Sequence, residues 1–301
     1  MRGEGGVSGT RAPLDAYVRA SGVAARSVLQ EYSGSVGTAI RLLSPRLRPP
    51  VAAVCALVRV ADEIVDGAAG GAGLTTGDQR VLLDSLEEDT ERALLTGYST
   101  NVVVQAFAAA ARPVGIGVEL TRPFFASMRR DLDPAWLTSD ELPGYIHGST
   151  EVAGLMCLRI FLAGSPVPES DRRRLEAGAR RLGAAGQKLD FLRDLPVDWA
   201  ELGRNYLPGV DPDRMTESQK RALLADIAAD LSAAAEVIPR LPVSCRRAIV
   251  AVHGLFEEIA ARVAATPASE LVVRRVSVPA AVKLRIAARA ALGGRPRPGG
   301  T

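Results

Sequence analysis

Two rows of acidic residues stand in otherwise apolar stretches of this 301-residue chain. The first row is Asp62 and Asp66, and the second is Asp190, Asp194 and Asp198. An α-helix turns once in roughly 3.6 residues, so a spacing of four places the carboxylates of each row on one helix face. A carboxylate in an apolar setting is unfavourable unless a cation or a hydrogen-bond donor neutralises it. Both rows are therefore candidates for a site that holds positive charge.

The chemistry that these carboxylates permit is the binding of a divalent cation with a diphosphate. Mg²⁺ is typically held by a few carboxylates together with substrate phosphates. Side chains suited to phosphate oxygens lie close by in the sequence: Arg59, Arg193, Arg204 and Tyr206. Positive charge around a diphosphate allows its carbon–oxygen bond to ionise. An exposed acidic face explains either row by itself, but two rows of this kind favour the metal-diphosphate site.

The elements that must position these rows are predicted to be helices. The chain is 47% hydrophobic, shows no sustained period-2 alternation, and so predicts an all-α protein. The predicted helices span residues 14–31, 49–66, 77–96, 101–111, 118–132, 138–162, 170–194, 216–238, 242–266 and 278–292. A helical bundle rich in Ala, Leu and Val can enclose the dry, apolar cavity that an allylic carbocation needs.

Composition also predicts the domain organisation. Residues 14–292 are expected to form one α-helical domain because no convincing linker interrupts them. Residues 1–13 and 293–301 are rich in Gly and polar or Pro residues, and we expect both segments to be disordered.

Charge, cysteine usage and hydropathy exclude several classes of protein. The net charge is only +3 and the basic residues are not gathered beside aromatics, which disfavours nucleic-acid binding. Cys55, Cys157 and Cys245 lie far apart without metal-ligand spacing, and are predicted to be buried thiols. Residues 1–13 lack the apolar core of a secretion signal, and no apolar run is long enough to span a bilayer. A cytoplasmic protein is expected, with peripheral membrane association through an apolar substrate as an open alternative.

Several motifs occur in an order that is specific to one known family. They lie at residues 32–35, 59–67, 128–132, 145–156, 187–194, 203–208 and 275–284. In these motifs the chain resembles the squalene/phytoene synthase family of head-to-head prenyltransferases, over about residues 30–292. Their details are most similar to phytoene synthases of actinobacterial type.

This resemblance implies an all-α isoprenoid (terpenoid) synthase fold, in which the acidic rows face each other across a central cavity. It implies that Mg²⁺ is bound by Asp62, Asp66, Asp190 and Asp194, with Asp198 in support. The residues that it implies for the diphosphate are Ser33, Ser35, Arg59, Gln187, Arg193, Arg204 and Tyr206. Tyr145 joins the four principal aspartates as a candidate catalytic residue, with ordinary packing as its alternative.

The reaction that the resemblance implies is the condensation of two geranylgeranyl diphosphates. The first ionises, the double bond of the second attacks the cation, and a cyclopropyl (prephytoene) diphosphate forms. A second ionisation, rearrangement and proton loss then give phytoene. The implied cofactor is Mg²⁺, with Mn²⁺ as an alternative, and NADPH is not expected, whereas squalene synthases use its hydride.

The chain departs from the family pattern in ways that keep other functions open. Asp190 replaces a usual asparagine, Val197 replaces a glutamate, and Cys55 and Val36 stand at positions that are commonly aromatic. Aromatic faces stabilise cations, so their loss bears most on the second half-reaction. The alternatives are prenyl transfer to another acceptor such as an aromatic ring, squalene synthesis, and a non-catalytic scaffold that binds prenyl diphosphate. Retention of both acidic rows argues against the scaffold.

Overall fold

The protein is built from packed α-helices. The computed structural model describes residues 11–32, 36–133, 136–165, 167–294 and 296. Within these residues there are fourteen α-helices and no β-strand, which confirms the all-α class. The helices are α1 (Arg11–Tyr32), α2 (Val36–Ile40), α3 (Arg48–Val65), α4 (Ala68–Gly71), α5 (Thr76–Thr96), α6 (Val102–Ala111), α7 (Val118–Asp131), α8 (Leu142–Ile146), α9 (Val152–Leu162), α10 (Glu169–Arg193), α11 (Glu217–Val237), α12 (Val243–Ala265), α13 (Ala268–Leu271) and α14 (Ala280–Ala291). No helix among them has both the length and the apolarity required to cross a bilayer.

Local signals determine where the long helices begin and end. α5 opens with a capping box in which Thr75 and Asp78 satisfy each other's backbone N–H groups. It ends at Gly97, whose φ of 85° lies in the left-handed region that favours glycine. α11 opens with a second capping box, between Thr216 and Gln219, as predicted. These boundaries follow from residues within one turn of each helix end.

The segment predicted as one helix over 138–162 is divided by a π-helical stretch. Its capping box is present, since Glu141 N donates to the Thr138 hydroxyl and the Glu141 carboxylate accepts from Thr138 N. α8 and α9 are then separated by the π-helical segment His147–Glu151. There Gly148 lies against α7 so closely that a Cβ would approach the Pro123 carbonyl oxygen to 2.1 Å. A π-helical interruption of this kind is often found at functional sites.

Other differences from the prediction concern short elements. α2, α4 and α13 were not predicted, and α4 lies inside the loop expected after residue 67. Each is five residues or fewer, which is too short for a periodic apolar pattern to reveal. α1 begins at Arg11, so residues 11–13 are helical where disorder was expected. Residues 1–10, 295 and 297–301 lie outside the described residues.

Two apolar clusters form the interior. The first contains buried side chains of α3, α5, α6, α7 and α9, among them Phe107, Phe124 and Phe125. The second joins α10, α11 and α12 to the segments around α8 and α13, and includes Leu189 and Ile227. α3, α9, α10 and α12 also surround a large cavity between the two clusters. The helices that carry the predicted acidic rows, α3 and α10, are therefore walls of this cavity.

Candidate active site

A cavity of about 730 Å³ lies between α3, α9, α10 and α12. Its volume falls within the ~300–1,000 Å³ that small-molecule pockets occupy in proteins. Among the residues that the structure describes, most of the lining is aliphatic and the aromatic side chains in it are Phe161 and Phe256. The charged residues in the lining are Arg59, Asp62, Asp190, Arg193, Arg275 and Lys283. The cavity thus combines an apolar interior with charged groups drawn from both acidic helices and from the segment before α14.

The row on α3 reaches the cavity through Asp62. This carboxylate is half-buried in the last turn of the helix. Burial raises the pKa of Asp62 to about 7; Arg59 opposes this rise, while the negative charges of Asp66, Asp131 and Asp190 reinforce it. Asp62 and Asp190 line the same cavity, so the two rows meet at one site through these two carboxylates.

The row on α10 reaches the cavity through Asp190. Its side chain is 42% accessible and is part of the cavity lining. Burial raises the pKa of Asp190 to about 6, and Asp194 adds to the rise while Arg193 and Arg275 oppose it. Arg193 Nη1 lies 2.9 Å from Asp190 Oδ1. Arg193 and Arg275 therefore compensate part, but not all, of the charge of this carboxylate.

Asp194 is the member of the row whose charge is best satisfied. It caps the C-terminus of α10 and accepts hydrogen bonds from Arg193 Nε at 3.1 Å and Nη2 at 2.5 Å. Arg275 also donates to it, from 81 residues further along the chain. Burial acts to raise the pKa of Asp194, but the two arginines outweigh it and hold the pKa below its usual value. Arg275 was part of a recognised motif, but was not predicted as a site residue.

Arg204 joins the end of α3 to the segment that follows α10. Its Nη1 donates to Asp66 Oδ1 at 2.6 Å, and its backbone N–H donates to the Asp198 carbonyl oxygen at 2.7 Å. Burial raises the pKa of the Asp198 carboxyl to about 7, with repulsion from Asp194 and Asp66 adding to it and Arg204 opposing it. Asp198 therefore belongs to the same electrostatic environment as both rows.

Asp131, at the end of α7, is a site residue that the sequence did not single out. It is 6% exposed and accepts hydrogen bonds from Tyr145 Oη at 2.8 Å and from Tyr206 Oη at 2.7 Å. Burial raises the pKa of Asp131 to about 6, although both tyrosines oppose the rise. The sequence feature that could have identified Asp131 is its place in the motif at residues 128–132.

The two tyrosines form an aromatic group with Phe191 on α10. Phe191 and Tyr206 stack with centroids 4.9 Å apart and planes 10° apart, and the Tyr145 centroid lies 5.2 Å from that of Tyr206. Ser127 donates to the Tyr145 carbonyl oxygen at 3.1 Å, which ties this segment to α7. Tyr145 is thus both a packed residue and a hydrogen-bond donor within the site.

The remaining predicted residues are placed as follows. Arg59 lines the cavity and forms an ion pair with Glu63, whose other carboxylate oxygen accepts from Ala68 N at 2.9 Å. Gln187 is half-buried, one turn before Asp190 on α10. Ser33 and Ser35 lie outside the described residues. Glu63, which pairs with Arg59, lies between Asp62 and Asp66 in the sequence but was not predicted as a site residue.

The donor set fits a divalent cation. Hard carboxylate oxygens are the ligands that Mg²⁺ prefers, and Asp62, Asp190 and Asp198 carry charge that the surrounding arginines compensate incompletely. In the part of the chain that the structure describes, no three His, Cys, Asp or Glu side chains converge closely enough to hold one ion. Arginines lie between the carboxylates instead. Ion binding therefore requires some arginines to leave the carboxylates and to bind another anion, and phosphate oxygens are suited to this role.

Comparison with known sequences agrees with these motifs. Residues 29–281 match the family model for squalene/phytoene synthase. The phytoene synthase of Mycobacterium tuberculosis is 30% identical over 272 residues, which cover 83% of this chain and 84% of that protein. The 15-cis-phytoene synthase of a Paracoccus species is 31% identical over 183 residues, which cover 59% of this chain and 56% of that protein.

Comparison with solved structures agrees with the helical arrangement. A dehydrosqualene synthase in complex with a ligand superimposes with a TM-score of 0.73 at 20% identity, covering 93% of this chain and 98% of that one. The squalene synthase HpnC of Alicyclobacillus acidocaldarius gives a TM-score of 0.69 at 19% identity, covering 82% and 94%. Sequence and fold agree, and the chain belongs to the squalene/phytoene synthase family.

Proposed function

We propose that this protein is a phytoene synthase, a prenyltransferase that joins two geranylgeranyl diphosphates head to head. The observation that carries the proposal is the convergence of the carboxylates of α3 and α10 at an apolar cavity of about 730 Å³. The chemistry is supported by the phytoene synthases to which the chain is similar over most of its length. The choice of a C20 substrate rests on those relatives.

The acidic rows would hold the cation, and the neighbouring donors would hold the diphosphate. Mg²⁺, or Mn²⁺ in its place, would neutralise the leaving diphosphate when bound. Its proposed ligands are Asp62, Asp66, Asp190 and Asp194, with Asp198 in support. The proposed donors to phosphate oxygens are Ser33, Ser35, Arg59, Gln187, Arg193, Arg204 and Tyr206.

The interior of the cavity would hold the prenyl chains and exclude water from the cation. Aliphatic side chains cannot trap a carbocation as a nucleophile would, so the cation persists until the second alkene attacks it. The stacked rings of Phe191 and Tyr206, with Tyr145 beside them, lie next to Asp131 and are not part of the cavity lining. Aromatic faces stabilise cations, so Phe161 and Phe256 in the lining would supply part of the aromatic character that Cys55 and Val36 do not.

A second candidate is transfer of one prenyl group to another acceptor. The observation that favours it is the small number of aromatic residues in the described cavity lining, which are Phe161 and Phe256. Such an enzyme needs only the first ionisation. Squalene formation is a further alternative, in which NADPH reduces the last cation.

The test is to incubate the purified protein with Mg²⁺ and, separately, radiolabelled C10, C15 and C20 diphosphates, each without and with NADPH, and to identify the hydrocarbon. We expect a C40 hydrocarbon with a central conjugated triene from the C20 substrate. A C30 hydrocarbon that requires NADPH would establish squalene synthesis instead. No hydrocarbon, with labelled acceptor in a cell extract, would establish the acceptor transferase.

Variants separate catalysis from binding alone. Asp62→Ala and Asp194→Ala should abolish turnover while the far-ultraviolet circular dichroism stays unchanged. Asp140→Ala is the matched control, because Asp140 is exposed and lies outside the site. Full activity of both site variants would contradict the proposed roles.

A further inference from the structure

The charges of the sequence are distributed unevenly along the chain. Residues 271–301 contain seven basic residues and no acidic residue. The whole chain has 37 basic and 34 acidic residues, so the preceding 270 residues keep 30 basic against 34 acidic. A slightly acidic body is thus followed by a strongly basic segment. Charge asymmetry of this kind suggests interaction with a membrane or another polyanion.

The outer side of α14 combines this charge with exposed aliphatic side chains. Leu284 is 68% exposed and Leu292 is 89% exposed, one on each side of the exposed Arg285 and Arg289 along the helix. From Leu284 to Leu292 these positions follow one another at intervals of one, four and three residues, which keeps them on one side of a helix of roughly 3.6 residues per turn. The opposite side packs on α12. We call Leu284, Arg285, Arg289 and Leu292 the basic apolar face.

A further exposed aliphatic residue, Val273, lies in the segment between α13 and α14. It is 82% exposed and lies next to Arg274 and Arg275. The segment from Arg275 to Val278 lines the cavity, as does Lys283, which is next to Leu284 in the sequence. The face is therefore continuous in sequence with residues that border the candidate active site.

We propose that the basic apolar face docks on an anionic lipid bilayer. Basic side chains are attracted to anionic headgroups, and the exposed leucine side chains are stabilised by entering the headgroup–acyl boundary. A nucleic acid would use the charges but leave these aliphatic side chains in water, and the face carries no aromatic residue for base stacking. The inference extends the proposed function, because a docked cavity would exchange apolar substrate and product with the bilayer.

The experiment is vesicle flotation of the full-length protein without substrate. The vesicles are phosphatidylcholine, with or without phosphatidylglycerol, and inorganic salt is varied. The test variant is Leu284→Asp/Arg285→Glu, which alters exposed residues outside the proposed catalytic machinery. Its control is Leu95→Asp/Arg173→Glu, because Leu95 is 81% exposed, the Arg173 side chain is 71% exposed, and the change in net charge is the same.

We expect wild-type protein and the control to bind the anionic vesicles and to dissociate as salt rises. The test variant should bind at least roughly tenfold more weakly, since one basic residue near an anionic surface strengthens binding about fivefold. No binding to anionic vesicles, equal binding by the test variant, or binding to RNA but not to vesicles would overturn the proposal. Detergent-solubilised C20 diphosphate assays the proposed function separately, and there the test variant should keep wild-type turnover.

Discussion

Arg204 donates a hydrogen bond to Asp66 across 2.6 Å, although the two residues are 138 positions apart in the sequence. The guanidinium is buried, with 8% of the residue exposed, and it fixes the end of α3 against the segment that follows α10. The same carboxylate is a proposed ligand for Mg²⁺. Arg204 thus links the two acidic rows and competes with the cation for the Asp66 carboxylate. A diphosphate would offer Arg204 a second anionic partner.

Replacement of Arg204 by glutamine should remove a donor from the developing charge of the leaving diphosphate. We expect kcat to fall roughly 10²–10³-fold, as when one such donor is lost from other active sites. Steady-state kinetics with the C20 diphosphate measures this. Arg214→Gln is the control, because that side chain is 87% exposed. Equal kcat values for the two variants would show that Arg204 has only a structural role.

Asp62→Asn should make the metal-free protein more stable while it abolishes turnover. The amide carries no charge, so the repulsion from Asp66, Asp131 and Asp190 and the cost of burying a carboxylate both disappear. We expect a higher melting temperature than that of wild type in the presence of a chelator. A lower melting temperature would mean that the Asp62 carboxylate makes net favourable contacts.

The stability of the metal-free protein should fall as the pH rises from about 4 to about 7. The folded-state pKa is raised for Asp62, Asp131, Asp190 and Asp198, to between about 6 and about 7. An unfolded aspartate titrates near 3.9, so in this window the folded state binds more protons than the unfolded state. The free energy of unfolding therefore decreases with pH.

Denaturant midpoints measured with a chelator across this pH range test the expectation. Carboxyls whose pKa is lowered, such as Asp194, change the free energy of unfolding mainly below pH 4. They therefore contribute little to its pH dependence between pH 4 and pH 7. A midpoint that stays constant or rises between pH 5 and pH 7 would contradict it.

Tyr206→Phe should destabilise the protein more at pH 8 than at pH 5. The variant removes a hydrogen bond of 2.7 Å to the buried Asp131, whose pKa of about 6 makes it charged at the higher pH. Loss of one partner of a buried charged group costs about 1–3 kcal/mol. Chemical denaturation at both pH values measures the difference. Tyr98→Phe, at a residue that is 53% exposed, should show no such pH dependence.

Gly186→Ala should destabilise the protein by about 1–3 kcal/mol through overpacking. A Cβ at this position would lie 2.9 Å from Phe256 Cζ, where α10 meets α12 at the cavity wall. Displacement of Phe256 should also shorten the prenyl chain that the cavity accepts, which product analysis would detect. Gly71→Ala is the matched control, since its Cβ would meet nothing within 4 Å. A neutral Gly186 variant would show that the ring moves without cost.

The elements that sequence predicted best are those decided by nearby residues. The capping boxes at Thr138 and Thr216 and the alignment of Asp190 with Asp194 depend only on spacing along one helix. The role of Asp131 was not predictable in this way, because Tyr206 approaches it from 75 residues away only after folding.

The single-turn helices were not predicted because four or five residues are too few to show the apolar periodicity of a helix. The hydrogen bond from Arg275 to Asp194 likewise joins two segments that are 81 residues apart in the sequence. Family resemblance supplied the order of the motifs, but which donor faces which carboxylate depends on three-dimensional packing.

Gly148 limits how this cavity can be redesigned. Combinatorial libraries that randomise residues 142–162 to accept other prenyl chains should keep position 148 constant, since even alanine would press on the Pro123 oxygen at 2.1 Å. Diversity belongs instead at Ala153, Cys157 and Leu158, whose side chains form the wall that a new substrate would touch.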